Sequence, residues 1–175
     1  GQMLSIGIPV VCGFTVGDEI EFIKKAIGQA EKYADIILVT GGLGPTDDDL
    51  TRQAIAEYMS VELEFHKELY EKIREYFKQR NVNMVEKNRV QAYLPKGARA
   101  ITNNFGTAPG VWATYKNKDI IAMPGVPVEM KKMFAESIAP EIEKCTNGQS
   151  TVVGKLKCIG KGEAKMSEML GDLRK

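Results

Sequence analysis

Ile36-Ile37-Leu38-Val39-Thr40-Gly41-Gly42-Leu43-Gly44-Pro45-Thr46-Asp47-Asp48-Asp49-Leu50-Thr51 decides the fold. The first five residues form an apolar strand and the glycines turn the chain. The acidic segment then opens a helix whose buried stripe is Leu50, Ala54, Ile55 and Tyr58. Strand, turn and helix in that order build α/β sheets. The same junction is where chemistry is expected. Glycine lets backbone approach a ligand closely, and a helix start offers unpaired N–H groups to an anion. Three consecutive aspartates would repel that anion. In one reading a cation stands between carboxylates and phosphate. In the other, Thr46 caps the helix with Asp49 reaching back as a shortened capping box, while Asp47 and Asp48 complement the dipole. The residues by themselves leave both readings open.

Working outward, Ile8-Pro9-Val10-Val11-Cys12 predicts an earlier buried strand. Gly17-Asp18 predicts a turn and cap before a helix that buries Ile20, Ile23, Ile27 and Ala30. Lys67 to Arg80 reads as a charged helix with Leu69, Ile73, Tyr76 and Phe77 on one side and Glu68 placed four residues before Lys72. Asn81 to Gly97 is an excursion over the sheet, with a short helix from Glu86 to Tyr93 ending before Pro95. Asn88, Arg89 and Gln91 on that excursion are binding candidates. Val111 to Tyr115 and Asp119 to Met123 predict an antiparallel hairpin. Pro124-Gly125-Val126-Pro127 then repeats the strand-turn-helix pattern, with Met130, Met133, Phe134 and Ile138 as the apolar stripe of the helix. After Pro140 and a polar turn, Val152, Leu156 and Cys158 alternate as a half-exposed strand, and Met166, Met169, Leu170 and Leu173 mark a terminal helix. The expected fold is α/β with a mixed, mostly parallel sheet in residues 1–145 and a small strand-helix lobe in residues 146–175.

Several function classes are disfavoured by composition. The 175 residues, 43% of them hydrophobic, suffice for one domain with a sizeable core. Lys and Arg number 24 against 23 Asp and Glu, so no overall field attracts nucleic acid or an anionic membrane. No apolar run approaches the roughly 20 residues needed to cross a bilayer, and a cytoplasmic location without a leader is expected. Cys12, Cys145 and Cys158 are odd in number and widely spaced, as for reduced thiols. The lone His66 stands at the expected start of the charged helix, away from any pattern of catalytic partners.

The glycine turn is neither a Walker A loop nor a dinucleotide fingerprint, because it lacks Gly-Lys-Ser/Thr and the Gly-x-Gly-x-x-Gly spacing. Two further elements accompany it. Asn104 to Gly110 is a run of small residues in which Thr107 offers a hydroxyl to a phosphate or ribose, or simply joins two strands. Met123 to Glu129 ends a strand and opens a helix, where Glu129 supplies either a carboxylate ligand or a complement to the dipole. Ligands in open α/β sheets bind beyond the carboxyl ends of strands, where the Gly41 and Pro124 turns are both expected. Arg89 suits a phosphate through its two-pronged guanidinium, whereas Lys87 acts as a point charge. Trp112 is read as buried structure before a stacking platform.

Taken together, four motifs closely resemble the N-terminal domain of the CinA competence/damage-inducible family. They are Thr40 to Thr51, Asn88-Arg89-x-Gln91-Ala92, Gly106-Thr107-Ala108-Pro109-Gly110 and Pro124-Gly125-Val126-Pro127-x-Glu129-Met130. The tail, with Ile159-Gly160-Lys161-Gly162-Glu163 and Leu170-Gly171-Asp172-Leu173, is similar to the small lobe that follows that domain. The resemblance implies a three-layer fold of the molybdopterin-binding type and metal-dependent cleavage of ADP-ribose, or a similar nucleoside diphosphate sugar, to AMP and ribose 5-phosphate. It implies catalytic roles for Asp48 and Asp49, with the divalent cation (Co²⁺ or Mg²⁺, with K⁺ as a further candidate) on Asp48, Asp49 and Glu129. Gly41, Gly42, Gly44, Thr46, Asn88, Arg89, Thr107, Gly125 and Pro127 would hold the nucleotide, and a homodimer is expected. The alternative is a non-catalytic nucleotide- or molybdopterin-binding or oligomerisation module. The family opens with a strand and helix of which Leu4-Ser5-Ile6-Gly7 resembles only the end, so an open position in the sheet is expected.

Overall fold

The computed structural model describes residue 3 and residues 6–145, 159–160 and 162–171. Helix α1 (Ile20–Ala30) leads into strand β1 (Ile36–Thr40), the glycine turn and helix α2 (Thr51–Met59). Strand β2 (Leu63–Phe65) and helix α3 (Lys67–Gln79) come next, and the excursion holds a 3-10 segment (Glu86–Ala92) and strand β3 (Tyr93–Pro95). Strands β4 (Arg99–Ile101), β5 (Gly110–Tyr115) and β6 (Lys118–Met123) follow. Helix α4 (Pro127–Met133), a π segment (Phe134–Ile138) and α5 (Ala139–Cys145) then run on without a break, and α6 (Glu163–Leu170) is the last element described.

The sheet has the order β1-β6-β5-β4, with β1 and β6 parallel and the other two pairs antiparallel. Strand alternation divides the core into two layers. Ile37, Val111, Ala113, Ile120 and Ala122 face α1 and α2, meeting Ile23, Ile27, Ala54 and Ile55. Trp112, Ile121 and Met123 face the other way, onto Met133, Phe134, Ile138 and Ile142. Helices therefore cover both faces, giving the expected three layers around a mixed sheet. Lys116 and Asn117, at φ 50° and 62°, close the β5-β6 hairpin as a two-residue turn suited to the twist of the strands.

Two expectations are corrected. Ile8 to Cys12 has no regular secondary structure and pairs with none of the described strands, and Val10 and Val11 are exposed. Among the described strands β1 is an edge of the sheet, and a cavity of about 600 Å³ lies between it, α1 and the 8–18 segment, so that segment does not reach the ladder. Pro140 lies within a helix. The Ala139 N–H reaches back to the Phe134 carbonyl in a π turn, immediately before the residue that has no N–H to give, and the helix continues to Cys145. Within the excursion, β3 pairs antiparallel with β2, and both three-residue strands are too short to carry a periodic signal. The strand expected at 152–158 lies outside the described residues. Among those residues no helix is long and apolar enough to cross a membrane.

Candidate functional site

Strands β1 and β6 are distant in sequence but parallel neighbours, with Thr40 opposite Met123, so the turns at their carboxyl ends meet. The Gly41 N–H donates to the Met123 carbonyl at 2.9 Å, continuing the ladder by one bond. A side chain at Gly125 would place its Cβ 3.3 Å from Gly41 Cα, so the turns pack backbone to backbone. Gly41 and Gly42 adopt φ of 94° and 67°, a region that disfavours L side chains. Thr51 closes the turn from α2, its hydroxyl donating to the Gly41 carbonyl at 2.8 Å and its N–H to the Gly42 carbonyl at 3.1 Å.

The expected capping box does not form on the helix. Leu50 is the N-cap of α2 and makes no side-chain cap bond. Asp49 instead closes its own loop, accepting at Oδ2 from the Thr46 N–H at 2.9 Å and from the Thr46 hydroxyl at 2.6 Å. Burial pulls the Asp49 carboxyl upward. The Thr46 hydroxyl and amide, the Gly44 amide and the Arg52 charge outweigh that pull and hold it below its ordinary value. Arg52, only 4% exposed, donates to the Leu43 carbonyl and, at 2.8 Å, to the Gly44 carbonyl. Burial pushes its guanidinium down to about 10, with Asp49 opposing the shift, so it stays charged at neutral pH. Sequence reasoning missed Arg52. A cation in the first turn of a helix runs against the dipole, and that was the available signal of an anionic or carbonyl partner nearby.

The remaining aspartates diverge. Asp48 is exposed, whereas Asp47 pairs with Lys87 of the 3-10 segment at 2.8 Å. Lys87, not Arg89, is thus the excursion's cation at the aspartate loop. Arg89 pairs with Glu86 at 3.6 Å and lies over the Phe65 ring, 5.0 Å from its centroid. Asn88 is buried and donates to Gln91, whose amide, 1% exposed, donates to the Thr107 hydroxyl at 3.1 Å. These three residues are therefore drawn together, while Arg89 is directed to β2. Glu129 accepts from the Asn103 side chain at 2.7 Å and rests against Gly106, where a Cβ would fall 2.1 Å from its Oε2. Asn103 also donates to the Ala108 carbonyl and accepts from the Phe105 N–H. Among the described residues no three Asp, Glu, His or Cys side chains gather as a metal-ligand group. The structure keeps Asp48 and Asp49 on one loop and commits Glu129 to the 103–108 turn. Trp112 is core, with Arg99 over its outer ring face at 4.1 Å. His66 is the N-cap of α3, as its position suggested.

Comparison with known proteins gives a consistent picture. The probable molybdopterin binding domain family matches residues 1–144. A putative competence-damage inducible protein of Caldicellulosiruptor saccharolyticus is 42% identical over 172 residues, covering 98% of this chain and 42% of its own length. A CinA-like protein of Dictyoglomus turgidum is 40% identical over 175 residues, with 99% and 42% covered. The chain thus spans about two fifths of the length of these relatives. The crystal structure of CinA from Thermoplasma acidophilum, a protein described as of unknown function, is similar with a TM-score of 0.68 and 32% identity. That match covers 74% of this chain and 75% of the other. The molybdopterin biosynthesis enzyme MoaB of Thermus thermophilus shares the fold at a TM-score of 0.50 and 19% identity, over 85% of this chain and 80% of its own.

Proposed function

Because the chain belongs to the probable molybdopterin binding domain family, on its CinA side, we propose that it binds an ADP-ribose-like nucleotide across the Gly41 and Gly125 turns. We propose further that it hydrolyses the pyrophosphate to AMP and ribose 5-phosphate with the help of a divalent cation. The carrying observation is the backbone contact of those two turns at the carboxyl ends of adjacent parallel strands. Gly125 is exposed there, a Cβ at Gly41 would meet no atom within 4 Å, and Lys87 adds a positive charge at Asp47 of the following loop. Asn88, Gln91 and Thr107 are joined in the hydrogen-bonded group that fixes the second small-residue turn.

The carboxylates fit a cation of modest protein ligation. Magnesium commonly takes one or two carboxylates and completes its shell with water and substrate phosphate, a need that the exposed Asp48 would meet while Asp49 and Glu129 stay in their structural bonds. Once bound, such a cation supplies neutralisation of the pyrophosphate and polarisation of the phosphorus under attack. Asp48 then recruits it, and Asp49, with Oδ2 engaged by Thr46, holds the loop in shape. Glu129 orients Asn103 and through it the 103–108 turn.

A second reading, nucleotide or molybdopterin binding without hydrolysis, is favoured by the engagement of Asp49 and Glu129 in structural bonds. Incubation with ADP-ribose, with and without Co²⁺ or Mg²⁺, separates the two. Metal-dependent AMP that disappears in Asp48→Asn supports hydrolysis. Saturable binding of ADP-ribose without AMP transfers support to the second reading, and saturable binding of molybdopterin alone makes that the ligand. Absence of binding to either compound would sink both readings.

A further inference from the structure

We propose that Arg52 is the positioning residue of the aspartate loop, a role that rests, for its effect on ligand, on the nucleotide-binding reading above. Its guanidinium draws the carbonyls of Leu43 and Gly44 toward α2. In a trans peptide the carbonyl and the following N–H point in opposite directions, so fixing the Leu43 carbonyl also aims the Gly44 N–H. That N–H is directed at the Asp49 carboxylate, which the Thr46 N–H and hydroxyl hold from the other end of the loop. Asp49 lies so close over Gly44 that a Cβ there would fall 2.4 Å from its Oδ2. Arg52 and Asp49 thus close the 43–49 loop from its two sides, one through carbonyls and the other through amides. Asp48, between the Asp49 anchor and the exposed Asp47, is left facing solvent.

A flexible cation would not reproduce this. The two carbonyls belong to consecutive residues, and a planar guanidinium reaches both at once through separate nitrogens, whereas a lysine ammonium is a single point of donation. Burial of the group keeps water from substituting for it, so its loss leaves two carbonyls without their partner.

The test compares wild type, Arg52→Met, Arg52→Lys, Arg52→Ala and, as a control away from the site, Arg99→Met. Two readouts are used: ADP-ribose affinity by calorimetry, and hydrogen exchange of the Gly44 and Thr46 amides by NMR against the Ile120 amide. Arg52→Met is expected to weaken ADP-ribose by about tenfold or more and to speed exchange at Gly44 and Thr46 by a similar factor, with Ile120 unchanged. Arg52→Lys should fall between it and wild type. Added methylguanidinium should restore both readouts in Arg52→Ala and in no other variant, a rescue that general destabilisation cannot mimic. Arg99→Met should match wild type. Unchanged exchange at Gly44 and Thr46 in Arg52→Met overturns the proposal, as does wild-type affinity in a variant whose exchange has also stayed slow. If Arg52→Met does not fold, wild-type exchange in Arg52→Lys overturns it. If wild type itself binds no ADP-ribose, the functional reading fails by that result, while exchange and methylguanidinium rescue still decide the role of Arg52.

Discussion

Gly42→Ala is the perturbation whose cost follows most directly from the geometry. The residue stands at φ 67°, where an alanine costs roughly 1 kcal/mol. Its Cβ would fall 2.2 Å from Thr51 Oγ1, 3.1 Å from Thr51 Cβ and 3.2 Å from Thr51 N. Thr51 cannot yield freely, because a β-branched residue in the first turn of a helix has few rotamers and its hydroxyl is already bonded to the Gly41 carbonyl. Displacing it adds an overpacking cost of about 2 kcal/mol. The sum, about 3 kcal/mol, corresponds in a chain of this size to a fall in Tm of roughly 6 to 12 °C. Thermal unfolding followed by circular dichroism measures it, and a double-mutant cycle assigns the cause. Thr51→Ala alone loses one hydrogen bond, about 1 kcal/mol, yet removes the atom that the new methyl group would strike. The double variant should therefore fall short of additivity by about 1 to 2 kcal/mol. Additive costs, or a neutral Gly42→Ala, would refute the steric account of this turn.

The acid side of the stability curve should depend on Asp49. Its folded carboxyl lies below the ordinary value of 3.8, so the stability it contributes is complete above that value and lost as pH falls through the folded one. Urea titrations from neutral pH down to about pH 3 should show a shallower acid loss in Asp49→Asn than in wild type. On the alkaline side, burial, followed by the hydrogen bond to Glu31, pushes the Tyr58 phenol up to about 12 from 10. Stability from this group is present below pH 10 and lost as pH rises toward 12, and Tyr58→Phe should flatten that limb. Gln91→Ala removes a buried amide between Asn88 and Thr107. A loss of about 2 kcal/mol is expected in unfolding assays, together with weaker ADP-ribose binding.

Much of the fold was legible because it is written in local patterns. The 36–51 stretch gave strand, turn and helix by apolar run, glycine and helical stripe, and the β5-β6 hairpin appeared as two strand runs around a polar turn. Ile23, Ile27 and Ala30 are buried on one face of α1 as their spacing required. Three-residue strands leave no such trace, which is why the β2-β3 pair was not foreseen. Pro140 carried a local rule that the helix evaded by widening its preceding turn. Ile8 to Cys12 had strand composition, but a strand also needs a neighbour to bond with, and none of the described strands pairs with it.

The site divides in the same way. Glycines, aspartates and the Asn88 and Thr107 motifs could be picked out by residue type, since each type has few physical uses at a turn. Their partners could not. Asp48 and Asp49 are chemically identical neighbours, and only the folded loop separates an exposed carboxylate from one engaged by Thr46, Gly44 and Arg52. Lys87 was the weaker candidate beside Arg89, yet the 3-10 segment turns Lys87 toward Asp47 and Arg89 toward Phe65. By itself the sequence determined the α/β elements and the turns able to carry chemistry, because propensity, periodicity and glycine's freedom are properties of short segments. Tertiary structure alone decided that the Gly41 and Gly125 turns touch and which aspartate is free, because parallel pairing of β1 with β6 joins residues some eighty positions apart.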